Sequence, residues 1–172
     1  AEHGNAALSV VRHPELDSGQ LLIESFHVVD CTAPRRLHLA RFFPPRLIRS
    51  LHDHTGADLS HLPDSGFAVI QRQFDREHAV ELLRAQRKLI ERALQQAETR
   101  VRKEIPGLVK ASVDHLLNTM TAELKRLAAL RKVNPNVRQA ELDQLKANTL
   151  AMHDSITSAR YRLDAVRVIV TA

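Results

Sequence analysis

The stretch RKVNPNVRQAEL (residues 131–142) lies between two long runs whose apolar residues recur at steps of three and four. Leu127, Leu130 and Val133 close the first stripe, and Val137 and Leu142 open the second. Pro135 has no amide hydrogen and biases the residue before it away from helical geometry, so no smooth helix passes through. Two capping arrangements suit the sequence. Asn136 caps the second helix with Gln139 as its capping-box partner, or Asn134 caps it with Pro135 in the first helical position. Glu141 and Asp143 then lie near the positive end of the helix dipole. In either case Asn134-Pro135-Asn136 is a tight turn between two antiparallel helices, the tip of a coiled-coil hairpin.

Upstream of the tip, the stripe runs back through Leu116, Val109, Val101, Leu94 and Ile90 to Leu83. Pro106-Gly107 interrupts it, and these residues cost a helix interior about 3 and about 1 kcal/mol. The stripe nevertheless keeps its phase from Val101 and Ile105 to Val109 and Val113, which predicts one kinked but continuing helix over 88–133. Downstream, Leu142, Leu145, Thr149, Met152, Ile156, Ala159 and Leu163 step 3, 4, 3, 4, 3, 4, a heptad seam with one polar member. It predicts a second helix over 137–163. The Val-rich AVRVIVTA (165–172) then reads as a strand.

The first 74 residues have a different period. ALSVVR (7–12) and QLLIESFHVVDC (20–31) read as strands, the second covered on both faces because its apolar residues fall at both parities. HPELDSG (13–19) is a loop. RRLHLARFF (35–43) alternates and is expected as a strand stopped by Pro44 and Pro45. RLIRSL (46–51) and ADLSHL (57–62) flank HDHTG as a hairpin with Gly56 in the turn. GFAVIQRQF (66–74) is a further strand. The expected fold is α+β: one domain over 1–172, with a mainly antiparallel sheet from 1–74 plus 165–172. Two long antiparallel helices in 75–163 project from it as a coiled-coil hairpin arm.

Composition sets bounds but names nothing. Hydrophobic residues make up 44% and aromatics 3%, without Trp, so the core is aliphatic. The net charge of +5 permits an acidic partner without demanding one. Cys31 is the single cysteine, which excludes an internal disulfide and fits a reducing cytoplasm. There is no apolar run long enough to span a membrane. The opening AEHGNAALSVVRH reads as the interior of a longer protein.

LAALRKVNPNVRQAEL and the terminal RYRLDAVRVIV resemble the C-terminal end of the RapA (HepA) family, the SWI/SNF-type ATPases that associate with bacterial RNA polymerase. GQLLIESFHVVD and APRRLHLARFFPP match the same family's long strand, Ala-Pro turn and Phe-Phe-Pro-Pro stop. The resemblance covers most of 19–171, although 63–105 matches only in helical character and Pro106 departs from the pattern. It implies a non-catalytic accessory domain of a nucleoid-associated, cytoplasmic ATP-dependent translocase that helps recycle RNA polymerase. The partners implied are core RNA polymerase and the parent's own ATPase domains. ATP and magnesium would belong to those domains: this chain has neither a G-x-x-x-x-G-K-[ST] loop nor an acidic helicase motif.

The candidate chemistry is thin. His52-Asp53-His54 with Asp58 and His61 is the densest set of metal-ligand residue types, and an exposed polar turn is its simpler reading. Ser18-Gly19 and Ser65-Gly66 lie outside any nucleophile elbow, and Glu15 and Asp17 have no apolar pocket. No catalytic, cofactor or metal residue is assigned. The cations point to contact instead. Arg35, Arg36, Arg41, Arg46 and Arg49 fall within a stretch without acids, and Arg131, Lys132 and Arg138 flank the tip. The first set suits phosphate or acidic protein, and the second a protruding contact point. Docking to the polymerase or the ATPase core is one reading. A DNA- or RNA-binding module using Arg35–Arg49 is a second, and a structural spacer a third.

Overall fold

The structure, a computed structural model, describes residues 5–71 and 75–172. Five strands form one sheet in the order β3-β2-β5-β1-β4. They are β1 (Asn5–Arg12), β2 (Leu21–Asp30), β3 (Arg46–Asp53), β4 (Ala68–Gln71) and β5 (Arg160–Thr171). The helices are α1 (Arg76–Ala85), α2 (Arg87–Val133) and α3 (Gln139–Thr157). The chain divides into two compact units, one of residues 1–28, 47–102 and 162–172, the other of residues 29–46 and 103–161.

In the first unit, β1 and β5 pair in parallel from Asn5–Ala165 to Val11–Thr171, whereas β1 and β4 pair antiparallel with a register shift at Val10/Val11. The sheet is therefore mixed rather than mainly antiparallel. Alternation cannot reveal strand direction, because a side chain points to the same face in either sense. Successive residues serve opposite faces. Leu22 and Ile169 join Val11, Leu51, Leu62 and Phe67 in one buried cluster. Ile23 and Val168 join Ala93 in another, packed against residues of α1 and the first turns of α2. Each fully buried Val, Leu, Ile or Phe among them contributes about 1.5–3 kcal/mol. Both faces of β2 are thus covered, as its two-parity pattern predicts. Thr171 fastens the C-terminal strand to the preceding loop: its hydroxyl accepts from Gln20 N–H at 2.8 Å and donates to Asp17 C=O at 2.6 Å.

The expected hairpin after β3 is reduced to a single bridge between His52 and Asp58. The Asp53 carboxylate accepts from the Thr55 and Ala57 amides at 2.8 and 2.9 Å and folds the intervening loop locally. Beyond that bridge, ADLSHL is not a strand. Within 66–74, strand occupies 68–71, and 72–74 lie outside the described residues.

In the second unit, residues 35–43 are two short 3-10 turns, Arg35–Leu37 and Leu39–Arg41, and not a strand. His38 between them has φ 48°, a left-handed conformation that ends one turn and begins the next. Leu37, Leu39 and Phe43 are buried, so the alternation recorded burial, but turns deliver it. α2 spans 47 residues, about 70 Å of rise at about 1.5 Å per residue, and continues through Pro106. Pro106 and Gly107 are exposed, so the interruption falls on the face away from Val101 and Leu116, both fully buried. α3 is shorter than expected and ends at Thr157. Leu163 lies in β5 rather than on the seam.

Candidate docking surfaces

The turn between α2 and α3 is built by backbone groups and the side chains of Asn134 and Glu141. Leu130 C=O receives Asn134 N–H at 2.9 Å, which ends α2. The Asn134 carboxamide oxygen accepts from Asn136 N–H at 3.0 Å, and Asn134 C=O accepts from Val137 N–H at 3.2 Å. The N-cap of α3 is Arg138, neither Asn136 nor Asn134. The Glu141 carboxylate accepts from Arg138 N–H at 3.1 Å, the acidic half of a capping box. Val137 and Leu142, both buried, occupy the two positions that a hydrophobic staple joins. That staple explains the displaced cap: Val137 is drawn inward, so helix begins only after it.

Around this turn the Arg131 guanidinium bonds the Gln139 side chain, and the Lys132 and Arg138 side chains have no ion-pair partner among the described residues. Val133, assigned by the sequence to the buried stripe, is 80% exposed. Leu130 beside it is 38% exposed. An apolar knob among cations is therefore the surface of the tip, and periodicity alone did not show where the stripe leaves the core.

The five arginines from 35 to 49 do not form one set. Arg49, in the first unit, is consumed internally. Its Nε lies 2.5 Å from Oε1 of Glu24, whose side chain is completely buried on β2. Arg167 on β5 takes the other oxygen at 2.6 Å and reaches Asp64 at 2.7 Å. Burial opposes the charge on Arg167, but the Glu24 and Asp64 carboxylates outweigh it and raise its pKa. The other four belong to the second unit. Arg41 is exposed yet held, 3.5 Å from Met120 Sδ and 4.5 Å from the Phe42 ring centroid. Arg35, Arg36 and Arg46 are exposed and make no ion pair among the described residues.

Two clefts adjoin this segment in the second unit. One, of about 510 Å³, is lined by Asp30, Cys31, Arg35 and His38 with apolar walls from Pro34, Leu39, Phe43 and Pro45. The other, of about 320 Å³, shares Asp30 and Cys31 and adds Thr32, Ser158 and Arg160. Burial, and then the Asp30 charge, raise the Cys31 thiol pKa. Cys31 is half-buried, and sequence reading gave Arg160 no role. Nothing local in the sequence brings residue 31 to residue 160.

Among the described residues, no three His, Cys, Asp or Glu side chains converge as a metal set. His52 is buried while His54 and His61 are exposed. No described helix is long and apolar enough to cross a membrane.

The chain is 35% identical over 170 residues to the RNA polymerase-associated protein RapA of Yersinia enterocolitica, and equally to that of Klebsiella pneumoniae. These alignments cover 97% of this chain, which spans 17% of the length of each relative. A family profile described as RNA polymerase recycling family C-terminal matches residues 1–171. The Phe-Phe-Pro-Pro stop, the Asn-Pro-Asn tip and the Arg-Leu-Asp-Ala strand thus sit in a sequence matched almost end to end, and the chain belongs to the RNA polymerase recycling C-terminal family.

Proposed function

We propose that this chain is a non-catalytic docking domain of a larger ATP-dependent protein that recycles RNA polymerase in the bacterial cytoplasm, at the nucleoid. ATP and magnesium act in domains of the parent outside this chain, and the contacts made here are to core RNA polymerase or to those domains. The observation that carries the reading is the family match over 1–171, together with the name borne by the 35%-identical relatives. The tip supplies a contact of fitting chemistry: Val133 and Leu130 give apolar area, and Arg131, Lys132 and Arg138 give charge. In this reading α2 and α3 pack as an antiparallel coiled-coil hairpin, which the buried series Leu142, Thr149, Met152 and Ile156 supports.

The nucleic-acid reading is favoured by a separate observation, the lack of ion-pair partners for Arg35, Arg36 and Arg46 among the described residues. Binding of the chain to purified core RNA polymerase and to duplex DNA, each at low and high salt, separates the two. Docking predicts salt-tolerant retention on polymerase that Val133→Asp and Lys132→Glu abolish. Retention on DNA alone, falling log-linearly with salt, would overturn it. Binding to neither would leave a structural spacer.

A further inference from the structure

We propose that the two clefts sharing Asp30 and Cys31 form one groove for an extended acidic peptide segment, with an apolar side chain set between its carboxylates. The groove lies wholly in the second unit and is separate from the tip. Its two parts, about 510 and 320 Å³, each fall within the range of ligand sites, and together they suit several residues in a row. Cations stand in both parts: Arg35 in the larger, Arg160 in the smaller. Arg35 and Arg160 are exposed and have no ion-pair partner among the described residues. Both forks are therefore open to a carboxylate, whose geometry a guanidinium matches with two parallel hydrogen bonds.

The lining between them decides the class of ligand. Asp30, shared by both parts, has no ion-pair partner among the described residues although two arginines line the same groove. A carboxylate there repels a phosphate chain but accepts backbone N–H groups, which an extended peptide offers at every residue. Thr32 and Ser158 add hydroxyls suited to a peptide carbonyl. Ala33, Pro34, Ala40 and Pro45 line the larger part with apolar surface for one side chain. A single-stranded nucleic acid would need an exposed aromatic ring for its bases. Phe43, the one aromatic lining either part among the described residues, is 4% exposed.

The test uses the 172-residue chain and a capped, fluorescein-labelled peptide with leucine between pairs of glutamates. A glutamine version of the peptide and oligo(dT) run in parallel. Anisotropy is expected to show saturable binding of the glutamate peptide, at least about tenfold weaker with glutamine. Arg35→Glu and Arg160→Glu are each expected to weaken it by about the same factor. Ala40→Trp, which fills the larger part and leaves every charge in place, is expected to weaken it too. Cys31, the only cysteine, gives a local readout: saturating peptide is expected to slow its alkylation by iodoacetamide. No saturable binding, binding that leaves Cys31 equally reactive, indifference to Arg160→Glu, or preference for oligo(dT) would each overturn the proposal. Lys132→Glu at the tip is expected to leave peptide binding unchanged, so failure here and failure of polymerase docking are read separately.

Discussion

Arg46 and Arg49 stand three positions apart on β3 and look alike in the sequence, yet they meet opposite surroundings. Arg49 closes a three-strand network in which Glu24, on β2, is held by arginines from β3 and β5. Arg46 is exposed and makes no ion pair among the described residues. The difference teaches that a run of cations is not a surface patch until the fold has said which of them face acids. The acid that removes Arg49 from the patch is Glu24, distant in sequence and hidden inside an apolar strand.

The sharpest break of this comparison is Glu24→Ala. It leaves two partly buried guanidiniums around one lost carboxylate, and removing one partner of a buried pair costs about 3–5 kcal/mol. Urea unfolding is expected to show that loss. If Glu24→Ala instead matches wild type, the network is not what holds Arg49 inward.

A second, milder loss is expected on acidification. Burial lowers the pKa of His27 and of His52, against the opposing charge of Glu98 for the first. For His52, Asp58 and Asp53 push up and Arg100 pushes down. The folded chain then binds fewer protons than the unfolded one below the ordinary histidine pKa of about 6.5. Stability is expected to be full above that pH and to fall as pH drops through it, down to the lowered folded values. His27→Gln and His52→Gln together should flatten the profile between neutral pH and about pH 5. Next is Asp64→Ala, which removes the exposed arm of the Arg167 network. Asp64 is largely in water, so about 0.5–1 kcal/mol is expected in the same urea experiment.

Much of the fold was legible because burial writes periodicity. The long helix, its continuation through Pro106, the doubly covered β2 and the C-terminal strand all follow from spacing. Spacing failed where different backbones produce the same burial. Residues 35–43 alternate, but Leu37 and Leu39 reach the core from two 3-10 turns pivoting on His38. Leu163 continued a heptad seam by position alone, and the chain had already become β5. Parallel pairing of β1 with β5 joins residues about 160 apart and leaves no local mark. The site was less legible than the fold. Arg131, Lys132 and Arg138 flank the turn between α2 and α3, whereas the exposure of Val133 and the Asp30–Cys31 clefts depend on chain reversals that a single sequence does not display.

The smallest expected effect on stability is the one that sharpens the comparison most. Arg46→Ser removes a cation as strong as Arg49 from the same strand. A side chain in water with no partner gives up nothing when it is shortened, so the urea midpoint should move by less than about 0.5 kcal/mol. Arg35→Ser and Arg36→Ser should behave alike, since both are exposed and make no ion pair among the described residues. Arg49→Ser in the same series strands the Glu24 carboxylate with one arginine instead of two and should fall toward Glu24→Ala. A destabilised Arg46→Ser would mean that Arg46 too holds the fold. With stability unmoved, any change it causes in polymerase, DNA or peptide binding is a change in the surface alone. That separation is what three cations with no ion-pair partner among the described residues make available, and what the buried pair of Arg49 and Glu24 cannot.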